Sequence, residues 1–243
     1  MSSVTRLSEQ RRLHDLKENT VRGAILRQLI LGGQDGVVNT LGILLGVATA
    51  TSEARLVIIT GIAAAFAESI SMAAVAYTSA KAQKEYYHRQ REREAFEIEK
   101  FPDIEREEVE HIYRKKGFDG KILQDIVSHI TSDKQKWLDE MMLNELELTE
   151  TDFDHPAKEG IVVGFSSLAG AFVPLLPFIF LPVQAAVIVS VAFSALVLFF
   201  AGAFKTKQTI GNWAKGGLEL AIVGICAAIA GYVIGMLLGA SGI

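Results

Sequence analysis

Cysteine is almost missing from this sequence: Cys226 is the only one among 243 residues. An intrachain disulfide and a thiolate metal cluster are both excluded. Charge is missing over long intervals. None falls between Glu159 and Lys205 or in residues 36–52, residues 56–80 carry only Glu68, and residues 218–243 carry only Glu219. Runs of this kind approach the ~20 apolar residues of a membrane-crossing helix, so a soluble bundle of buried core helices is the weaker account. Helix breakers are missing as well: residues 62–101 contain neither Gly nor Pro. The first 27 residues lack the compact apolar stretch and small-residue cleavage site of a signal peptide, and no cleavage is expected.

What is present reads as an all-α integral membrane protein. Five spans are expected at about 28–50, 55–80, 160–180, 184–204 and 217–240. "PFIFLP" (residues 177–182) supplies a tight turn between the third and fourth. The chain then divides into an N-terminal segment (1–27), the first two spans (28–84), an inserted helical module (85–158) and the last three spans (159–243). Lys and Arg in loops stay cytoplasmic. Six lie in residues 1–27 and three (Lys205, Lys207, Lys215) join the fourth and fifth spans, while the first loop has only Arg55. The N-terminus, the module and the basic loop are therefore expected in the cytoplasm.

The net charge of −4 conceals an asymmetry, because residues 85–159 alone carry a net −9. Such a surface attracts cations and repels nucleic acid, which is not expected as a partner. The second span runs on as one helix to about residue 100, a length of roughly 65–70 Å at 1.5 Å per residue. Pro102 suits the first turn of a new helix, with Asp103 and Glu105 favouring its N-terminus. Gly117 stops it. "KILQDIVSHI" forms a third short helix, and Asp133 caps a fourth, "KQKWLDEMMLNELEL", with Trp137, Leu138, Met141 and Leu148 at helical spacing.

Carboxylates recur on these helices in pairs. Glu94 and Glu97 share one helical face, Glu105 and Glu108 another, and Met141, Met142 and Glu145 form a third group. Like charges at this spacing destabilise a helix unless a cation sits between them. Oxygen donors alone suit Mg²⁺, Ca²⁺ or Mn²⁺; adding thioether shifts the preference toward Fe²⁺, Co²⁺ or Zn²⁺. The plainer account is a solvated acidic face with Met as core filling. Glu85-Tyr-Tyr-His88 and Glu108-Val-Glu-His111 also match the Glu-x-x-His pairs of a ferritin-like di-iron oxidase, although such a bundle needs four long helices.

Two acids lie within spans, where ionisable groups are costly and face an interior path. Asp35, Asn39, Gly42 and Gly46 share one face of the first span. Glu68 and Met72 stand one turn apart on the second, on a face with Gly61, Ala65, Val75 and Ser79. Together Asp35, Asn39, Glu68 and Met72 suggest a cation path. Gly231, Gly235 and Gly239 give small-xxx-small spacing in the last span, a helix-packing signal. Pro174 and Pro177 are expected to kink the third.

The Asp35-Gly36 pair, "SMAA" with the following Tyr77, "PLLP" at 174–177 and the acidic insertion after the second span resemble the vacuolar iron transporter family. The resemblance covers about residues 23–240. It implies five membrane helices, a homodimer, and export of Fe²⁺ from the cytosol in exchange for protons. It also implies that the module binds divalent metal through Glu94, Glu97, Glu105, Glu108, Met141, Met142 and Glu145, with Asp35 and Met72 on the membrane path. This sequence departs from the family at position 76: where many members have Glu before the Tyr, it has Ala76. Glu68, two turns earlier on the same helix, is the candidate replacement.

The expectation is thus a transporter rather than an enzyme, carrying Fe²⁺ or a similar ion (Mn²⁺, Co²⁺, Zn²⁺) and needing no prosthetic group. Its membrane is the plasma membrane in a prokaryote or the vacuolar membrane in a eukaryote. The alternatives are the membrane-anchored di-iron oxidase and a metal-sensing or buffering membrane protein.

Overall fold

The structure, a computed structural model, describes residues 3–149, 155–208 and 211–240, with side chains of the first helix described at Gly23 and from Ile25 onward. Among the described residues there are eight α-helices and no strand: α1 Ser3–Thr51, α2 Ala54–Lys100, α3 Pro102–Lys115, α4 Gly120–Thr131, α5 Lys134–Asn144, α6 Pro156–Phe180, α7 Val183–Gln208 and α8 Trp213–Ala240. Helices α1, α2, α6, α7 and α8 each contain a segment long and apolar enough to cross a membrane. The five expected spans are all present as helices. The first is the C-terminal part of a longer helix, since α1 runs from Ser3 and its apolar segment from Ile25.

Two compact units emerge, one of residues 1–77 with 157–243 and one of residues 78–156. Helix α2 contributes to both. With no Gly or Pro after Gly61 to interrupt it, it continues for 47 residues, about 70 Å at 1.5 Å per residue.

In the first unit, close helix packing rests on small residues. A Cβ added to Gly231 of α8 would lie 2.0 Å from the Gly42 carbonyl oxygen of α1, and one at Gly235 2.2 Å from that of Gly46. The small-residue spacing in the last span is therefore a contact with α1. Gly42 and Gly46, the small part of the face that begins with Asp35 and Asn39, serve as the seat of α8. Helix α6 meets α1 by the same means, with Gly36 backed against the Ser167 carbonyl. Pro174 and Pro177 lie inside α6, and the Pro174 carbonyl accepts a hydrogen bond from Ser190 Oγ of α7 at 2.8 Å.

In the second unit, local signals set each boundary. Pro102 opens α3 with Asp103 and Glu105 in its first turn, and Gly117, at φ +92°, follows its end. Asp119 caps α4 by accepting from Gly120 N (2.7 Å). Asp133 caps α5 by accepting from Gln135 N and Lys136 N. The expected fourth helix is shorter than its apolar spacing indicated: α5 stops at Asn144, Glu145 is its C-cap, and Glu147 takes a left-handed φ of +53°. Leu148 N then bonds back to the Met142 carbonyl at 2.8 Å, which returns Leu148 to the core by a turn rather than by helix. That core joins Tyr87 and Ile98 of α2 to Val109, Leu123, Trp137 and the α5 methionines.

Candidate metal centre

Three helices of the second unit bring one carboxylate each to a common point. Glu94 comes from α2, Glu105 from the first turn of α3 and Glu145 from the end of α5, and one oxygen of each lies within 4.8 Å of the others. Glu94 and Glu105 are 4% and 5% exposed. Glu94 Oε1 and Glu105 Oε2 are buried with no hydrogen-bond partner, a costly state for carboxyl oxygens unless a cation or proton meets them.

The electrostatics of the group follow from this crowding. Burial, a hydrogen bond to Glu105, and the charges of Glu105, Glu145 and Glu97 push Glu94 up to about 8. Glu145, at the more open edge, rises to about 7, first through partial loss of hydration and then through Glu108 and Glu105. Glu105 is raised chiefly by burial and by Glu108 and Glu97, against the lowering effect of its bond with Glu94. Carboxyls raised in this way keep protons to higher pH than free ones do.

The other expected ligands lie on the same three helices. Glu97 and Glu108 are half-buried and act on the three carboxylates electrostatically; Glu97 also accepts from Arg93 Nε at 3.1 Å. Met141 and Met142, 0% and 2% exposed, belong to the apolar core one turn and less ahead of Glu145. A groove of about 530 Å³ opens beside Glu108 and Glu145, with His111, Lys116 and Asn144 also in its wall.

The two Glu-x-x-His pairs are not assembled into one site. Glu85 is exposed and paired with Lys81 (3.7 Å), and His88 is exposed with its ring edge-on to Tyr87. His111 is exposed in the groove wall, and among the described residues no histidine joins the three-carboxylate group.

A second polar group lies in the first unit. Asn39 Nδ2 of α1 donates to Glu68 Oε1 of α2 at 2.9 Å, and Glu68 Oε2 is buried without a partner. Asp35, one turn before Asn39, is within electrostatic reach of the Glu68 carboxyl. Met72 is half-buried one turn further along α2, beside Ala73, whose backbone is met by Gly160 of α6. The structure thus joins Asp35, Asn39 and Glu68 through α1 and α2. A polar set that sequence reasoning passed over is Tyr113, Lys116, Glu140 and Asn144, whose only sequence signal is the i, i+4 spacing of Glu140 and Asn144.

The sequence profile of the VIT family matches residues 26–236, both polar groups included. The chain belongs to the VIT family. Among curated VIT relatives, the vacuolar iron transporter 1 of Eucalyptus grandis is 31% identical over 227 residues, covering 92% of this chain and 91% of its own. The Arabidopsis thaliana protein of the same name is 30% identical over 220 residues (90% and 88%). The vacuolar iron transporter of Plasmodium falciparum is 29% identical over 223 residues (88% and 82%). This VIT family member is therefore similar over nearly its full length to proteins named for iron transport, and it carries Ala76, half-buried, on α2.

Proposed function

We propose that this chain is a divalent-metal transporter, with Fe²⁺ as its favoured substrate, that exports metal from the cytosol by exchange for protons. The observation that carries the reading is the convergence of Glu94, Glu105 and Glu145, two of them buried with unpartnered oxygens, in a chain with five membrane-grade helices. The family membership and the names of the relatives support iron as cargo.

In this reading the 85–158 module faces the cytoplasm and captures the ion. Glu94, Glu105 and Glu145 hold it, with Glu97, Glu108, Met141 and Met142 as the surrounding donors. Protons released from the carboxyls on binding are the first part of the exchange. Asp35, Asn39, Glu68 and Met72 then form the membrane path, where a carboxylate can carry either a proton or the metal. Glu68 serves as the proton-exchanging acid that Ala76 cannot be. The protein works as a homodimer in the bilayer, of the plasma membrane or the vacuole, with its N-terminus in the cytoplasm.

The test is transport by purified protein in liposomes. Fe²⁺ should move with a counter-flow of H⁺. Asp35→Ala and Glu68→Gln should each abolish metal movement, and Glu68→Gln should also abolish the proton signal. Unchanged flux in both variants overturns the path, and metal flux without any pH change overturns the exchange.

A further inference from the structure

The three carboxylates are unequally supported. Glu94 projects from the body of α2 and Glu105 from within the first turn of α3, but Glu145 is the residue after α5 ends. Helix α5 has only 11 residues. The last turn of so short a helix frays unless something outside it holds the end. The backbone beyond it is tied back by bonds from Glu145 N and Leu146 N to the Met141 carbonyl and by the return of Leu148 to the core, so what remains to be fixed is the setting of the last turn against α3.

Four side chains tie that turn to α3. Tyr113 Oη donates to Glu140 Oε1 at 2.7 Å, and Asn144 Nδ2 donates to the same oxygen at 2.7 Å. Lys116 Nζ donates to Asn144 Oδ1 at 2.5 Å, lies 4.0 Å from Glu140 Oε1, and sits 4.6 Å from the centre of the Tyr113 ring. Asn144 is thereby held at both ends of its amide, with Glu145 as the next residue. The ammonium of Lys116 also stands at the C-terminal end of α5, where a positive charge is favoured. None of the four is among the carboxylates that meet at the candidate centre. They connect the far end of α3, whose first turn carries Glu105, to the end of α5 that carries Glu145.

We propose that Tyr113, Glu140, Asn144 and Lys116 form a clamp whose role is to position Glu145 as the third ligand of the metal centre. The proposal rests on the reading of Glu94, Glu105 and Glu145 as a metal centre. The clamp makes Glu145 available at a fixed place before the ion arrives, so that binding does not have to order the end of α5. Its removal leaves a two-carboxylate site with a loose third arm. Tyr113, Asn144 and Lys116 are positioning residues, and Glu145 is the residue through which they act.

The experiment is a double-mutant cycle on the full chain in detergent, with Co²⁺ as the probe, read by calorimetry and by the visible absorption of the bound ion. Loss of one hydrogen bond to a charged group is worth about a tenfold change in an equilibrium constant. Tyr113→Phe and Asn144→Ala should each weaken Co²⁺ binding by about that factor or more and alter the absorption band. Glu140→Gln, which keeps an acceptor oxygen, should weaken it less than Glu140→Ala. In a Glu145→Ala background, Tyr113→Phe and Asn144→Ala should have no further effect, because the arm they place is gone. Unchanged melting of the metal-free protein in Tyr113→Phe separates positioning from folding. The clamp is overturned by equal losses with and without Glu145, or by unchanged binding in both single variants. Tight Co²⁺ binding that ignores both Glu105→Ala and Glu145→Ala overturns the metal centre itself.

Discussion

Glu94 illustrates how one residue can oppose its own fold. Its carboxyl is pushed up to about 8 in the folded protein against an ordinary value near 4.5. Above pH 5 the unfolded chain has already released that proton while the folded chain still holds it, so stability falls as pH rises toward 8. Glu145, raised to about 7, acts in the same direction. Urea unfolding of the metal-free protein, followed through buried Trp137, should show a lower midpoint at pH 8.5 than at pH 5.5. A divalent ion should erase most of the difference, since it replaces the protons that the site otherwise needs. The pairing of acids on α2 and α3 was legible in the sequence because helical periodicity places them. Which three would meet was not legible, because that depends on how α5 ends and on the turn through Glu147, and no periodicity reports a tertiary stop.

At the scale of elements, caps and breakers carried the sequence reading well in the second unit. Pro102, Gly117 and Asp133 each sit where the chain changes direction or starts a helix. Asp133→Ala should cost about 1 kcal/mol, the usual worth of an N-cap, visible as a lower urea midpoint with a largely intact helical spectrum. The apolar rhythm misled at the other end of α5. Leu148 keeps the spacing of a helical core residue but reaches the core by a reverse turn, since burial alone does not distinguish the two routes. In the first unit, the face of Gly42 and Gly46 looked like a continuation of the polar face of Asp35 and Asn39. Only the partner helix decides whether a small face lines a path or receives another backbone. Gly231→Leu should disrupt the α1–α8 contact and cost at least about 1–3 kcal/mol, the range of overpacked cores, measurable as a lower melting temperature in detergent.

For the whole molecule, the five spans were legible because a bilayer imposes length and apolarity on each helix separately. Arrangement of the helices is a different matter, carried by glycine-to-carbonyl contacts that have no counterpart in hydropathy. The distribution of Lys and Arg predicts sidedness directly. With Cys226 replaced by Ser, a single cysteine in Glu53→Cys should react with an impermeant maleimide from outside intact cells or right-side-out vesicles. One in Phe118→Cys should react only after the membrane is opened. The reverse pattern would place the acidic module outside and remove cytosolic capture from the proposed cycle.

The contact of Gly42 with Gly231 and of Gly46 with Gly235 restricts how such a molecule can move. Two backbones that meet at glycines every fourth residue have one register. Sliding α8 past α1 by a single residue would bring side chains into those carbonyls. A conformational change that keeps these contacts must therefore carry α1 and α8 together as a single strut.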